Sequence, residues 1–261
     1  MLCIWKKNCI YSICKLNNNL ILYNKKRKVD KIMSQLTSSR KKERLRQYVD
    51  SKIMVSERVY NLVMGITVFY GIIVNIIMCA LCGDMTRGIN PLVFIIGYFV
   101  CCFLGIYLSS HSTNAIISFL GYNFVVVPVG MVLSSVITAY GGLSSDLILQ
   151  AFVITAGISS IMILAAIAYP SFFSKLRGIL LSSLIGLIMI ELILLFLHIP
   201  QIVTSWIGAI IFSLYIGFDF YMAQQYPKTI DNAVDSAMDI YLDVINLFIR
   251  ILQILGSKKK D

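Results

Sequence analysis

Residues 202–224, IVTSWIGAIIFSLYIGFDFYMAQ, and residues 236–256, SAMDIYLDVINLFIRILQILG, are two apolar runs joined by the polar link QYPKTIDNAVD. About 20 apolar residues suffice to carry a helix across a hydrocarbon core of about 30 Å. Lipid offers no partner for backbone N–H and C=O groups, so runs this apolar are read as helices, which pair those groups internally. Five more runs of the same kind lie at 59–82, 91–110, 115–138, 146–169 and 178–199. The links GDMTRGIN, SHSTN, YGGLSSD, PSFFSKLR and IPQ are short, which makes consecutive helices antiparallel neighbours. The fold class expected is an all-α integral membrane protein with seven transmembrane helices. Pro128, in VVVPVG, is expected to kink the third span beside Gly130.

Composition agrees. Of 261 residues, 58% are apolar and 14% charged, and mean hydropathy is +0.80. A soluble domain carries about 25% charged residues, which excludes a water-soluble globular protein. The net charge of +10 is unevenly placed. Residues 1–58 hold 15 Lys and Arg against 4 Asp and Glu, whereas residues 59–261 hold 8 against 9. The division expected is a basic tail (1–58), a seven-helix domain (59–256) and a Lys-rich end (257–261). The basic excess reads as orientation, not as nucleic-acid binding. By the positive-inside rule the N-terminus is cytoplasmic, in a multi-pass protein of the cell membrane. Lys258, Lys259 and Lys260 strain that topology, because seven spans place them on the far side. A re-entrant last segment is the alternative.

Residues 1–32 lack an unbroken apolar region and a small-residue cleavage site, so they do not read as a secretory signal. Met33 is a candidate for the native start, with 1–32 as upstream sequence. The tail also suits anionic lipid. Seven Cys, an odd number, do not suggest a disulfide framework. Cys79-x-x-Cys82 has metal or redox spacing, yet no second pair or His cluster accompanies it, and His111 and His198 lie far off in sequence.

Ionisable groups inside spans are costly, by about 2.5–3.5 kcal/mol each on insertion scales, and therefore mark function. Glu191, Asp219, Asp239 and Asp243 are four such groups. At 1.5 Å per residue, Asp219 and Asp243 are expected roughly 7–8 Å and 10–11 Å deep from the same side. Two carboxylates at similar depth on adjacent helices cannot both ionise cheaply, and a shared proton is the usual solution. Ionised, they are also a hard oxygen site of the kind that divalent cations occupy. Asp239 and Asp235 precede Asp243 by one and two turns. They read either as an acidic approach to the pair or, by preference, as an ordinary solvated helix start whose acids complement the N-terminal dipole. Asn246 and Arg250 share the face of Asp243. Arg250 either neutralises a carboxylate or holds the exit of a pore, or else snorkels near the span end. Glu191 reads as a gate or coupling group or, preferably, as a neutral carboxyl bonded to a neighbouring helix. Asn75 and Asn123 read as interhelical glue.

The stretch IIFSLYIGFDFYMAQQYPKTIDNAVDSAMDIYLDVINLFIRILQILG resembles the closing signature of the Bax inhibitor-1 (transmembrane Bax inhibitor motif) family. The matching positions are Phe212, Ser213, Tyr215 and Asp219, then Tyr241, Leu242, Asp243, Ile245, Asn246, Leu247 and Phe248. The short form resembles bacterial members. The resemblance implies six spans surrounding a central seventh. It also implies a pH-dependent calcium leak gated by a paired aspartate, here Asp219 with Asp243. In eukaryotes the family is associated with suppression of stress-induced cell death; some bacterial members are thought to restrain a membrane-bound ATP-dependent protease. Bacterial members can carry arginines at the cytoplasmic end of span two, one of which latches onto an aspartate. Here that region reads YLSSHSTN, with Ser109, Ser110 and His111 and no arginine, and His111 is the candidate replacement.

The function expected is thus a pH-sensitive calcium leak through the bilayer, with protons and Ca²⁺ as its small partners. The alternative is a non-conducting regulator of a membrane partner such as that protease. An enzyme is not expected. An intramembrane aspartyl protease needs Gly-x-Gly-Asp, whereas Asp219 follows Ile216-Gly217-Phe218, and no Pro-Ala-Leu segment occurs. His-Glu-x-x-His and Gly-x-Ser-x-Gly motifs are missing as well.

Overall fold

In a computed structural model, residues 53–81, 91–197 and 202–258 are described. Expectations for Cys82, His198, most of the basic tail and the last three residues fall outside them. The described residues are helical: α1 (Glu57–Leu81), α2 (Pro91–His111), α3 (Ala115–Ala139), α4 (Asp146–Ala168), α5 (Pro170–Ser174), α6 (Arg177–Phe196), α7 (Ile202–Gln225) and α8 (Ile230–Lys258). α1, α3, α4, α6, α7 and α8 are long and apolar enough to cross a membrane, and α2 contributes the shorter apolar stretch Ile96–His111. α5 is a single turn in the predicted link PSFFSKLR, opened by Pro170 at its first position.

Local chemistry sets several boundaries. α3 begins where the Asn114 side chain accepts the Ile116 N–H at 2.9 Å, an N-cap. It runs through Pro128 without interruption. It ends where Gly141 and Gly142, both at positive φ, return their N–H groups to Thr138 and Ile137 carbonyls. That closure satisfies two orphan carbonyls and needs the left-handed backbone that glycine adopts freely. α8 starts six residues before the expected span. Thr229 Oγ1 accepts the Asn232 N–H at 3.1 Å, so the non-helical link shrinks to a few residues around Pro227.

α8 is distinct. Of its apolar window 78% is buried, against 56% or less in the others. It packs along α1, α3, α4 and α7, and single side chains tie it to α2 (Ser109 to Asp235) and α6 (Glu191 to Arg250). Its 29 residues run unbroken, about 43 Å at 1.5 Å per residue, with no reversal inside the helix. α2 and α3 approach closely because both are glycine at the crossing: a Cβ on Gly105 would lie 2.5 Å from the Gly121 carbonyl oxygen. Small residues that let backbones meet are the usual device of helix packing in lipid.

Near the α7–α8 link, the Tyr60 hydroxyl of α1 donates to the Ala223 carbonyl (3.0 Å) and lies 3.1 Å from Ser236 Oγ. Lys228 donates to the Gln224 carbonyl at 2.9 Å, closing the end of α7, and sits over the Tyr60 ring. Burial pushes its ammonium below the usual lysine range, against the opposing pull of Glu57. Val55 N–H donates to the Lys228 carbonyl at 2.8 Å, so the chain entering α1 is pinned to the same link.

Candidate functional site

The register of α7 against α8 follows from two contacts. Arg250 lies against Gly208, and Ser205 donates to Gln253 Oε1 at 2.8 Å. Carried along two antiparallel helices, this register sets Asp219 level with Asp239 and Tyr215 level with Asp243. The Cα atoms of Asp219 and Asp243 are then offset by about one turn, roughly 6 Å. The sequence-based depths had placed them more nearly level, because they were counted from a link longer than the one that forms. Helical side chains lean toward their own N-terminus. In an antiparallel pair with this offset, the two carboxyl groups therefore lean toward each other. Both bear electrostatically on the Tyr215 hydroxyl. Asp243 is 0% exposed and Asp219 4%.

Toward the link, α8 presents Asp239, Asp235 and Asp231 at successive turns, all buried. The preferred expectation of a solvated helix start fails for Asp235 and Asp239. Hydroxyls from other helices explain how acids can lie inside: Ser109 of α2 donates to Asp235, and Ser118 of α3 donates to Asp231 at 2.6 Å. Buried polar groups persist where hydrogen bonds replace water. Ser109 stands in the region where the family resemblance led one to look for an arginine, and sequence reasoning had treated it as a gap. His111 does not take that place. Its ring is exposed, stacks on Tyr107 with 4.2 Å between centroids, and lies 3.1 Å from the Tyr107 carbonyl oxygen.

Glu191 and Arg250, both taken as candidates for an ion pathway, come together. Arg250 Nη2 is 2.5 Å from Glu191 Oε1, with the two side chains 4% and 9% exposed. Arg250 therefore does not snorkel, and Glu191 is tied across helices to it. Arg250 also donates to Gln253 Oε1 at 3.2 Å. Asn246 turns to its own helix, donating to the Leu242 carbonyl at 2.7 Å. The two other asparagines act as glue: Asn75 donates to the Tyr241 hydroxyl at 2.6 Å, and Tyr70 donates to Asn123 Oδ1 at 2.7 Å.

Among the described residues no three His, Cys, Asp or Glu side chains converge as a metal cage, and Cys101 and Cys102 are free thiols.

A helical membrane protein with carboxylates buried on its two closing helices is the class that fold and site define. The chain belongs to the Bax inhibitor-1 family: the model described as inhibitor of apoptosis-promoting Bax1 matches residues 52–260. It is 36% identical over 138 residues to Bax inhibitor 1 of Schizosaccharomyces pombe, covering 51% of this chain and 49% of that protein. An uncharacterized protein of Helicobacter pylori is 35% identical over 127 residues, 48% of this chain and 53% of the relative. The inner membrane protein YbhL of Escherichia coli is 28% identical over 141 residues, 50% and 59% respectively. The chain spans about half the length of the curated relatives it matches.

Proposed function

We propose that the protein is a pH-sensitive calcium leak channel whose gate is Asp219 with Asp243. In this reading seven helices cross the cell membrane, six of them around α8, and the N-terminus is cytoplasmic. The observation that carries it is two carboxylates buried on the closely packed helices α7 and α8. Ionised, the pair repels and offers oxygens to a cation; with a proton shared between them, a hydrogen bond bridges α7 to α8. The two states differ in interhelical attraction and in cation affinity, which is what a gate requires. Asp239, Asp235 and Asp231 supply negative charge between the link and the pair. The permeant Ca²⁺ is cargo, and no cofactor or enzymatic step is invoked.

The test is uptake of calcium into proteoliposomes loaded with an indicator dye, across pH 5 to 8. The wild-type rate is expected to change by about tenfold over that range. Asp219→Asn with Asp243→Asn is expected to hold one rate throughout. A wild-type rate no higher than empty liposomes at every pH overturns the leak and leaves a non-conducting regulator, to be sought by co-purification of a membrane protease.

A further inference from the structure

Beyond Asp243 the next charged residue of α8 is Arg250, seven positions on, so on the same face and about 10 Å further along the axis. Its stem lies along Gly208 of α7, where a Cβ would be 2.9 Å from Nε and 3.1 Å from Cδ. Any side chain there would occupy the volume the arginine fills. The guanidinium end is fixed by Glu191 of α6 at 2.5 Å and by Gln253 Oε1 at 3.2 Å. Ser205 of α7 in turn donates to Gln253 at 2.8 Å. α6 packs chiefly on α7 and only slightly on α8, and this cluster ties it to α8. One side chain thus fills a slot among three helices and is held there by partners from its own helix and from α6.

We propose that Arg250, pinned by Glu191, is a plug that closes the far half of the ion route, separate from the aspartate pair. The proposal rests on the leak reading for its role and on the α6–α7–α8 cluster for its geometry. The aspartates form a closure that a proton can change. The plug is a steric closure, two turns beyond Asp243. Neutralised by Glu191, the guanidinium can stay buried. Gly208 is what gives it room.

The experiment compares full-length wild type, Glu191→Ala with Arg250→Ala, and that double variant with Gly208→Leu added, all in proteoliposomes. Calcium and potassium leak are measured at the pH where the wild type is tightest. Emptying the slot is expected to raise both leaks by about fivefold or more, and refilling it from α7 to return them to within about twofold of wild type. A double variant that elutes as monodisperse protein and stays as tight as wild type to both ions overturns the plug. So does a leak that Gly208→Leu leaves unchanged. A wild type silent to calcium at every pH, with a double variant that leaks potassium and is resealed by Gly208→Leu, removes the calcium reading and keeps the plug. If the alanine pair does not fold, Glu191→Gln with Arg250→Gln, nearer in size, is read in the same way. A rise of about twofold supports the plug and no rise overturns it.

Discussion

The two halves of α8 meet carboxylates by different means, its own near the link and one from α6 in the far half. Near the α7–α8 link, Asp231 and Asp235 are held by serine hydroxyls from α3 and α2. In the far half, Glu191 is held by the guanidinium of Arg250. A hydroxyl donates to a carboxylate and can accept from a carboxylic acid, so hydroxyl-held aspartates tolerate either protonation state. A guanidinium stays charged at any physiological pH and accepts nothing, so it favours one state of its partner. Where α8 is lined by hydroxyls its acids meet neutral donors; where it carries Arg250 it is tied by a buried ion pair to α6. A helix that joins both kinds has a responsive half and a rigid half.

The rigid half should break hardest. Arg250→Met leaves Glu191 buried without its partner. Removing one member of a buried pair costs about 3–5 kcal/mol. The double change Glu191→Met with Arg250→Met should recover most of that loss. Thermal unfolding of the purified protein in detergent checks both; a double variant less stable than Arg250→Met alone would sink the account. Gly208→Ala should cost less, about 1–3 kcal/mol for overpacking, because the added methyl must displace a stem that is already seated. An unchanged melting temperature for Gly208→Ala would mean that the arginine has another place to lie.

Much of the fold was legible in sequence, since apolar run length is what crossing lipid demands. The described helix ends fall within a few residues of the expected ones. The exception is the start of α8, where a run containing Asp231 and Asp235 looked like a polar loop. Thr229 caps the helix there, and Ser118 and Ser109, more than 110 residues earlier in the chain, meet the acids inside the bundle. Asp219 and Asp243 were legible as buried charges on neighbouring spans. The Glu191–Arg250 pair was not, because periodicity assigns a residue to a face of its own helix and is silent about which other helix meets that face. Ser109 was missed for a related reason. A serine in an apolar span is an ordinary residue until its partner is known.

The responsive half is probed through the pH profile. Single changes separate its members: Asp219→Asn or Asp243→Asn leaves one carboxyl, with no like-charged partner to raise the cost of ionising. Each single variant should retain less than about a third of the wild-type change in calcium flux between pH 5 and 8. A full wild-type profile in either would show that the other carboxyl acts alone and that the pair is not the unit.

The smallest expected effect belongs to the hydroxyls. Ser109→Ala removes the donor to Asp235 and leaves that carboxylate in place. In membrane proteins single interhelical hydrogen bonds average about 0.6 kcal/mol, so the melting temperature should barely move. The pH profile is the sensitive readout. With its donor gone, Asp235 loses the hydroxyl that ties α8 to α2, and the flux profile should shift by about 0.3 pH unit or less. Ser118→Ala acts on Asp231, one turn further from the pair, and should shift it less. Equal shifts from the two serines would show that position along α8 does not matter, and would remove the distinction between the stripe and the gate.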